Sequence, residues 1–325
     1  MQEKRIAVVR FSALGDVLLL WPVVEAVARN YPTYKISFFT RLEYIPHLPQ
    51  NPGIQVVGLD FKDRHSGIVS QFFFWWGWLR STYPEVWVDA HAHLRTLLPT
   101  WLAKRFGARI SRLNKHRSER RAFLQGKISV LPSVQASYAE QFTKVGFPIS
   151  WPLERSMGKD REVNSVLLLA PFSAQPTKCM PLSTAYSLAN RWMKAGGTVV
   201  LLGSSEERAS WVGPIVKQIS QHEEWTYWTT AAAAIVTDSA NQHLAALHGI
   251  PSVTVWAGTS PRAGFSPHQN TAHMDVEPDG LDCHPCSIYG KTTCLRGDFA
   301  CKTTPVQKIW DALVAVARTE LPLSC

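Results

Sequence analysis

The chain has 325 residues, 46% of them hydrophobic, with a formal charge of +9 and six cysteines. Single hydrophobic cores stop growing near about 250–300 residues, so this length suits two domains of about 160 residues each. No apolar run reaches the roughly 18 residues of a membrane span, and the first residues enter a strand with no signal-peptide pattern, so a cytoplasmic protein is expected. Four of the six cysteines fall between positions 283 and 301, which argues against a disulfide framework spread over the chain.

Residues 5–9 read as a buried strand, residues 15–29 as an amphipathic helix, and residues 35–39, 55–59 and 85–89 as further strands. The first strand runs into Arg10-Phe-Ser-Ala-Leu-Gly-Asp16. Gly15 permits a close approach there, and Asp16 either caps the helix or offers a carboxylate that can take a proton from a hydroxyl. The loop lacks G-x-G-x-x-G, which counts against a dehydrogenase. Residues 68–79, IVSQFFFWWGWL, hold six aromatics in twelve positions and are flanked by Lys62, Arg64, His65 and Arg80. The stretch is too short to cross a bilayer, and it fits either a helix dipping into a membrane interface or a buried helix beneath an active cleft.

Between Lys104 and Lys127, nine Lys or Arg stand against the single acid Glu119, a net of +8 that carries nearly the whole excess charge. A cluster of one sign points to an anionic partner, either a phosphorylated glycan or acidic headgroups; the plain alternative is a solvated positive surface. Nucleic acid is disfavoured because no binding motif accompanies the charge. Pro148, Pro152 and Gly158 then break the periodicity over residues 147–159, a predicted linker between domains 1–160 and 161–325.

The second half restarts with a strand at 165–170, a helix at 182–195 closed by Gly196-Gly197, and a strand at 198–202. Two doubly wound α/β domains facing across a cleft are predicted, with a last helix at 305–318 free to pack back across the domain junction. Three strand-end loops of this half suit a nucleotide diphosphate. After residue 170, Ser173 and Thr177 supply hydroxyls and Lys178 a point charge. Beyond Gly203, Glu206 stands where a carboxylate commonly holds ribose. Residues 235–261 read as strand, polar turn, short helix at 243–248, strand and glycine turn, aiming the N–H groups of Ser239, Ala240 and Asn241 at an anion; a capped helix without a ligand is the alternative.

In combination and order these motifs resemble the lipopolysaccharide heptosyltransferases of glycosyltransferase family 9. They are Arg10-x-Ser-x-Leu-Gly-Asp16, Asp89-Ala-His91-x-His93-Leu-Arg95, Pro-Thr-Lys178, Gly203 with Glu206, Asp238-Ser-x-x-x-His243, and Gly258-Thr-Ser-Pro261. The resemblance covers nearly the full chain. It implies a GT-B fold of two Rossmann-like domains, the first holding the acceptor and the second an ADP-heptose donor. It implies that Asp16 is the general base of an inverting transfer, and that Lys178 neutralises the departing diphosphate. Ser173, Thr177, Asp238, Ser239, Ala240, Asn241 and His243 would meet the donor, with Glu206 on its ribose. On the acceptor side it points to Ser12, Gly15, Lys62, Arg64, His91, Arg95, Arg117, Arg120 and Arg121. The implied acceptor is a phosphorylated or carboxylated lipid-linked saccharide of the lipopolysaccharide inner core, met in the cytoplasm and peripherally on the inner membrane. No metal or cofactor is required by this scheme, because Lys178 and helix dipoles can carry the charge.

Ala240 stands where many members have Gly, and Cys179-Met180 where Arg-Trp or His-Trp is common, so another nucleotide sugar stays open as donor. So do a non-catalytic glycan or membrane-surface protein on the same fold, and an epimerase or phosphorylase. The spacing C-x2-C-x7-C-x6-C at Cys283, Cys286, Cys294 and Cys301 also admits a structural zinc site, which the resemblance does not imply.

Overall fold

A computed structural model describes residues 4–153, 163–219, 221–267 and 272–317. The chain divides into two compact units: the described residues of Met1–His116 with Pro132–Glu154, and those of Arg117–Leu131 with Arg155–Cys325. The domain boundary expected at 160 falls on residues 154–162, outside the described ones. The excursion of Arg117–Leu131 into the second unit has no counterpart in the sequence reading.

The first unit contains β1 (Arg5–Val9), α1 (Leu14–Asn30), β2 (Lys35–Arg41), β3 (Ile54–Leu59), α2 (Ile68–Thr82), β4 (Val86–Asp89), α3 (Leu97–Arg105) and β5 (Arg109–Arg112). After α4 (Arg117–Leu124), which belongs to the other unit, α5 (Val134–Lys144) completes it. Its sheet is parallel throughout, in the order β3-β2-β1-β4-β5. Strands buried on both faces read as continuous apolar runs, as KISFFTR of β2 does. Neighbouring residues there serve opposite layers. Phe38 meets Trp21 of α1 edge to face, while Phe39 meets Trp75 and Trp78 of α2. Trp75 and Leu79 of α2, with Leu102 and Ala103 of α3, close the core over Ala7, Val9 and Trp87.

In the second unit, β6 (Val166–Ala170), α6 (Leu182–Lys194), β7 (Thr198–Leu201), α7 (Ser205–Ala209), β8 (Lys217–Gln218) and α8 (Gln221–Thr230) come first. Next are β9 (Ala233–Thr237), α9 (Ala240–Leu247), β10 (Ser252–Val255), β11 (His273–Val276) and α10 (Val306–Val316). The six strands are parallel in the order β11-β10-β9-β6-β7-β8. Parallel sheets covered by helices in both units are the architecture of the GT-B fold.

The described part of the last helix does not leave its own unit. Ile309, Trp310 and Leu313 of α10 are buried with Leu167, Trp192 and Val253, and Arg191 lies over the Trp310 ring. The apolar stripe of α10 is consumed by this sheet.

Candidate functional site

In parallel α/β sheets the strand carboxyl ends open onto loops and helix N-termini, and ligands are expected there. The register of the first unit sets Val9 beside Asp89 and Asp89 beside Arg112, so the loops after β1, β4 and β5 share one edge. Arg10, 6% exposed, donates from Nη1 to Ala90 O at 2.7 Å and forms an ion pair through Nη2 with Asp16 Oδ2. Asp16 also accepts from the Ala13 N–H at 3.3 Å, so its carboxylate both caps α1 and is held by Arg10.

Asp89 is fully buried and organises the next loop. It accepts from the N–H groups of His91 (3.1 Å) and Ala92 (2.8 Å), from Thr96 Oγ1 (2.8 Å) and from Arg112 Nε (3.0 Å). This knot fixes His91, whose Nε2 lies 3.4 Å from Ser12 Oγ and whose ring packs edge-on against Phe11. Burial, together with Arg10 and His93, pushes the His91 pKa down to about 3. A neutral imidazole beside Ser12 can donate or accept one hydrogen bond at the loop, and its Nδ1 is buried with no partner among the described residues.

Of the other predicted acceptor residues, Arg95 is exposed with its guanidinium over Phe61. Lys62 and Arg64 are exposed in the loop after β3, Lys62 facing Glu43 at 3.8 Å. Gly15 is half-buried in the first turn of α1. The remaining three, Arg117, Arg120 and Arg121, belong to the second unit. They sit on α4, which the second unit claims because Phe123 and Leu131 pack with Ala263 and Ile288 and the Leu131 N–H donates to Arg262 O at 2.8 Å. Arg120 donates to the Tyr289 hydroxyl and lies over the Phe265 ring.

The second unit gathers the loops after β6 and β9. Lys178 Nζ reaches Asp238 Oδ2 at 3.0 Å, with side-chain exposures of 13% and 9%. Asp238 further accepts from Thr259 Oγ1 at 2.7 Å and Gln242 Nε2 at 3.0 Å. Its carboxylate is therefore committed inward, and its role is to seat Lys178 and the turn rather than to face a ligand. Thr177 is likewise withdrawn from the predicted contact set. Its hydroxyl is fully buried, accepting from the Lys291 N–H at 2.7 Å and donating to Lys291 O at 2.9 Å.

Gly290 lies against the same pair with φ +90°, and a Cβ there would stand 2.6 Å from Lys178 Cδ, so only glycine fits that approach. Ser173 Oγ accepts from the Gln175 N–H at 3.4 Å. Ser239, Ala240 and Asn241 form the half-buried start of α9, one residue-turn earlier than the helix expected at 243. Ser239 Oγ has no hydrogen-bond partner among the described residues.

Glu206 is exposed on the first turn of α7. The cap of that helix is made by its neighbour Glu207, which accepts from the Ser204 N–H at 2.7 Å. His243 is buried behind the α9 turn, and burial, then Lys178 and His273, pushes its pKa down to about 3.

Both depressed imidazoles carry a stability consequence. An unfolded chain protonates its histidines near pH 6.5, and the folded chain keeps His91 and His243 neutral down to about 3. Stability is therefore full above about pH 6.5 and falls as the pH drops toward 3, by roughly 1.4 kcal/mol per pH unit for each imidazole. Urea denaturation at pH 7.5 and 5.5 should show the wild type losing more stability than His243→Gln; equal losses would remove the assignment.

A cavity of about 590 Å³ lies within the second unit, walled by α4, the Gly258 turn and the cysteine segment. Of the predicted donor and acceptor residues Thr177 alone lines it, so the nucleotide reading rests on the strand ends and not on this cavity. Cys283, Cys286, Cys294 and Cys301 all line it as free thiols, and Cys301 is raised to about 11 by burial and by the other three thiols. Among the described residues no group of three or more His, Cys, Asp or Glu stands in an arrangement able to hold a metal ion.

Arg10, Asp89, Arg112, Thr259 and Lys291 were missed as site builders. Arg10, Asp89 and Thr259 lie within the sequence motifs, whereas Arg112 and Lys291 are brought in by sheet register and a long-range loop that leave no local signature.

No protein-family profile and no curated protein sequence matches the chain. Solved structures do. A family 9 glycosyltransferase from Veillonella parvula is 16% identical, with 98% of each chain covered and a TM-score of 0.75. The ADP-heptose lipopolysaccharide heptosyltransferase II of E. coli is 18% identical over 97% of this chain and 99% of that one, at 0.66. The E. coli heptosyltransferase WaaC with ADP is 14% identical over 83% and 92%, at 0.63. The chain has the fold of these glycosyltransferases.

Proposed function

We propose that this chain is an inverting glycosyltransferase that moves heptose from ADP-heptose to a sugar of the lipopolysaccharide inner core. The observation that carries the reading is the α9 turn. Lys178 is seated by a buried Asp238 beside a helix start whose Ser239 hydroxyl has no hydrogen-bond partner among the described residues, on a fold shared over nearly the whole chain with heptosyltransferases. A lysine with helix N–H groups is suited to a diphosphate. One of the structural neighbours is a complex with ADP-2-deoxy-2-fluoro heptose, which supports a nucleotide sugar as donor here.

In the proposed mechanism Asp16 takes the proton of an acceptor hydroxyl as that oxygen attacks the anomeric carbon, the bond to the diphosphate breaks, and the configuration inverts. Lys178 and the α9 N–H groups stabilise the charge that gathers on the leaving diphosphate. Ser12, His91 and Arg95 are the proposed acceptor-side groups on the loops after β1 and β4, with Lys62 and Arg64 on the loop after β3. No step is routed through a metal or cofactor. The acceptor proposed is an acidic, lipid-linked saccharide, which places the reaction in the cytoplasm at the inner-membrane surface.

Calorimetric titration with ADP, UDP and GDP, followed by incubation with ADP-heptose and a deacylated core acceptor, tests this. ADP is expected to bind at least tenfold more tightly than UDP or GDP and to be released on transfer. A preference for UDP or GDP would move the donor, and the absence of nucleotide binding would favour a non-catalytic glycan-binding role.

A further inference from the structure

Helix α2 is aromatic on all sides, yet the fold uses only one of its faces. Trp75 and Leu79 are buried in the core. On the opposite side Val69, Phe73 and Trp76 are 64%, 67% and 42% exposed, and Arg80 continues the stripe at helical spacing. The fold thus buries one face of the segment and leaves the other exposed.

The stripe continues onto α3. Trp76 and Tyr83 of the α2 end meet Phe106 of the α3 end at ring distances of 5.2 and 5.7 Å, and Trp101 on α3 is 57% exposed. Among these aromatics lie the exposed Arg80, Lys104 and Arg105. Neither helix contains an Asp or Glu, and no acidic residue occurs from Arg64 to Pro84 or from Ala90 to Ser118. No helix among the described residues is long and apolar enough to cross a membrane.

We infer that the outer face of α2 and α3 docks on an anionic lipid bilayer, with Phe73, Trp76 and Trp101 entering the headgroup and acyl boundary while Arg80, Lys104 and Arg105 meet lipid phosphates. Large aromatics with basic neighbours and no acids are the composition that such an interface selects. A second copy seated on the same face would set basic side chains against basic ones, which disfavours self-association there. The inference deepens the reading of a lipid-linked acceptor. It rests on surface chemistry that can be measured without any transfer.

The test is sedimentation of the full chain with phosphatidylcholine vesicles with or without one quarter phosphatidylglycerol, with ADP binding measured in parallel as a check on the fold. The wild type is expected to sediment with the anionic vesicles and at least tenfold less with the neutral ones, and to be released by 0.5 M salt. Phe73→Ser/Trp76→Ser is expected to lower anionic-vesicle binding at least tenfold, and Lys104→Glu severalfold, both with ADP binding unchanged. Failure of the wild type to bind anionic vesicles would overturn the inference. So would binding that these variants leave intact, which would place the contact elsewhere, or a dimer in light scattering that the double variant dissolves. A chain that binds vesicles but no nucleotide would uphold the docking face and sink the transferase reading.

Discussion

Lys178→Ala is expected to lose nucleotide affinity and about 3 kcal/mol of folding stability together, because removing one partner of a buried ion pair strands the other charge. Asp238 would keep the hydrogen bonds from Thr259 and Gln242 but lose its only ion-pair partner among the described residues, in a position 9% exposed. The two losses are separable. In Lys178→Met/Asp238→Asn no charge remains to be stranded, so urea denaturation should recover most of the stability while ADP titration shows affinity still reduced at least tenfold. Recovery of both would mean that Lys178 serves only to neutralise Asp238, and the diphosphate would need another partner.

The second large effect is expected at Asp16. General-base catalysis contributes roughly 10²–10⁴-fold, so Asp16→Asn should lower kcat by about 10³-fold while ADP affinity stays within about twofold. Asparagine keeps an acceptor oxygen for the Ala13 N–H and the Arg10 guanidinium, so the helix start survives the change. Single-turnover assays with ADP-heptose would read the chemical step directly. Unchanged turnover removes Asp16 as base, and a matching fall in stability would show that capping α1 is its main task.

The fold was legible where apolar runs are continuous and their ends are punctuated. RIAVV was placed on the residues of β1, and the first helix was placed within a residue of either end. Elements with weak or mixed patterns were not seen. β5 (RISR) and α4 (RSERRAFL) are half charged, and they hold their form through sheet pairing with β4 and through packing of Phe123 with Ile288. For the site, the sequence pointed to the right loops but not to the direction each side chain takes. Asp238 and Thr177 are polar residues at strand ends, as a ligand contact would be, yet both turn inward to bond Lys178 and Lys291. Residue type and spacing specify a loop's chemistry; only long-range partners decide which polar groups are consumed in building it.

The chain passes between its two units three times, because Arg117–Leu131 is lent to the second unit before the first is finished by α5. Neither unit is a contiguous stretch of sequence. During synthesis the lent segment emerges before the loops that cover it, so Phe123 and Leu131 lack their packing partners until Ala263 and Ile288 are made. A clone cut near residue 160 would carry that segment on the wrong half. Exchange of the second unit between related chains would need junctions at 116/117, 131/132 and 154/155, so recombination at a single point cannot shuffle these units freely.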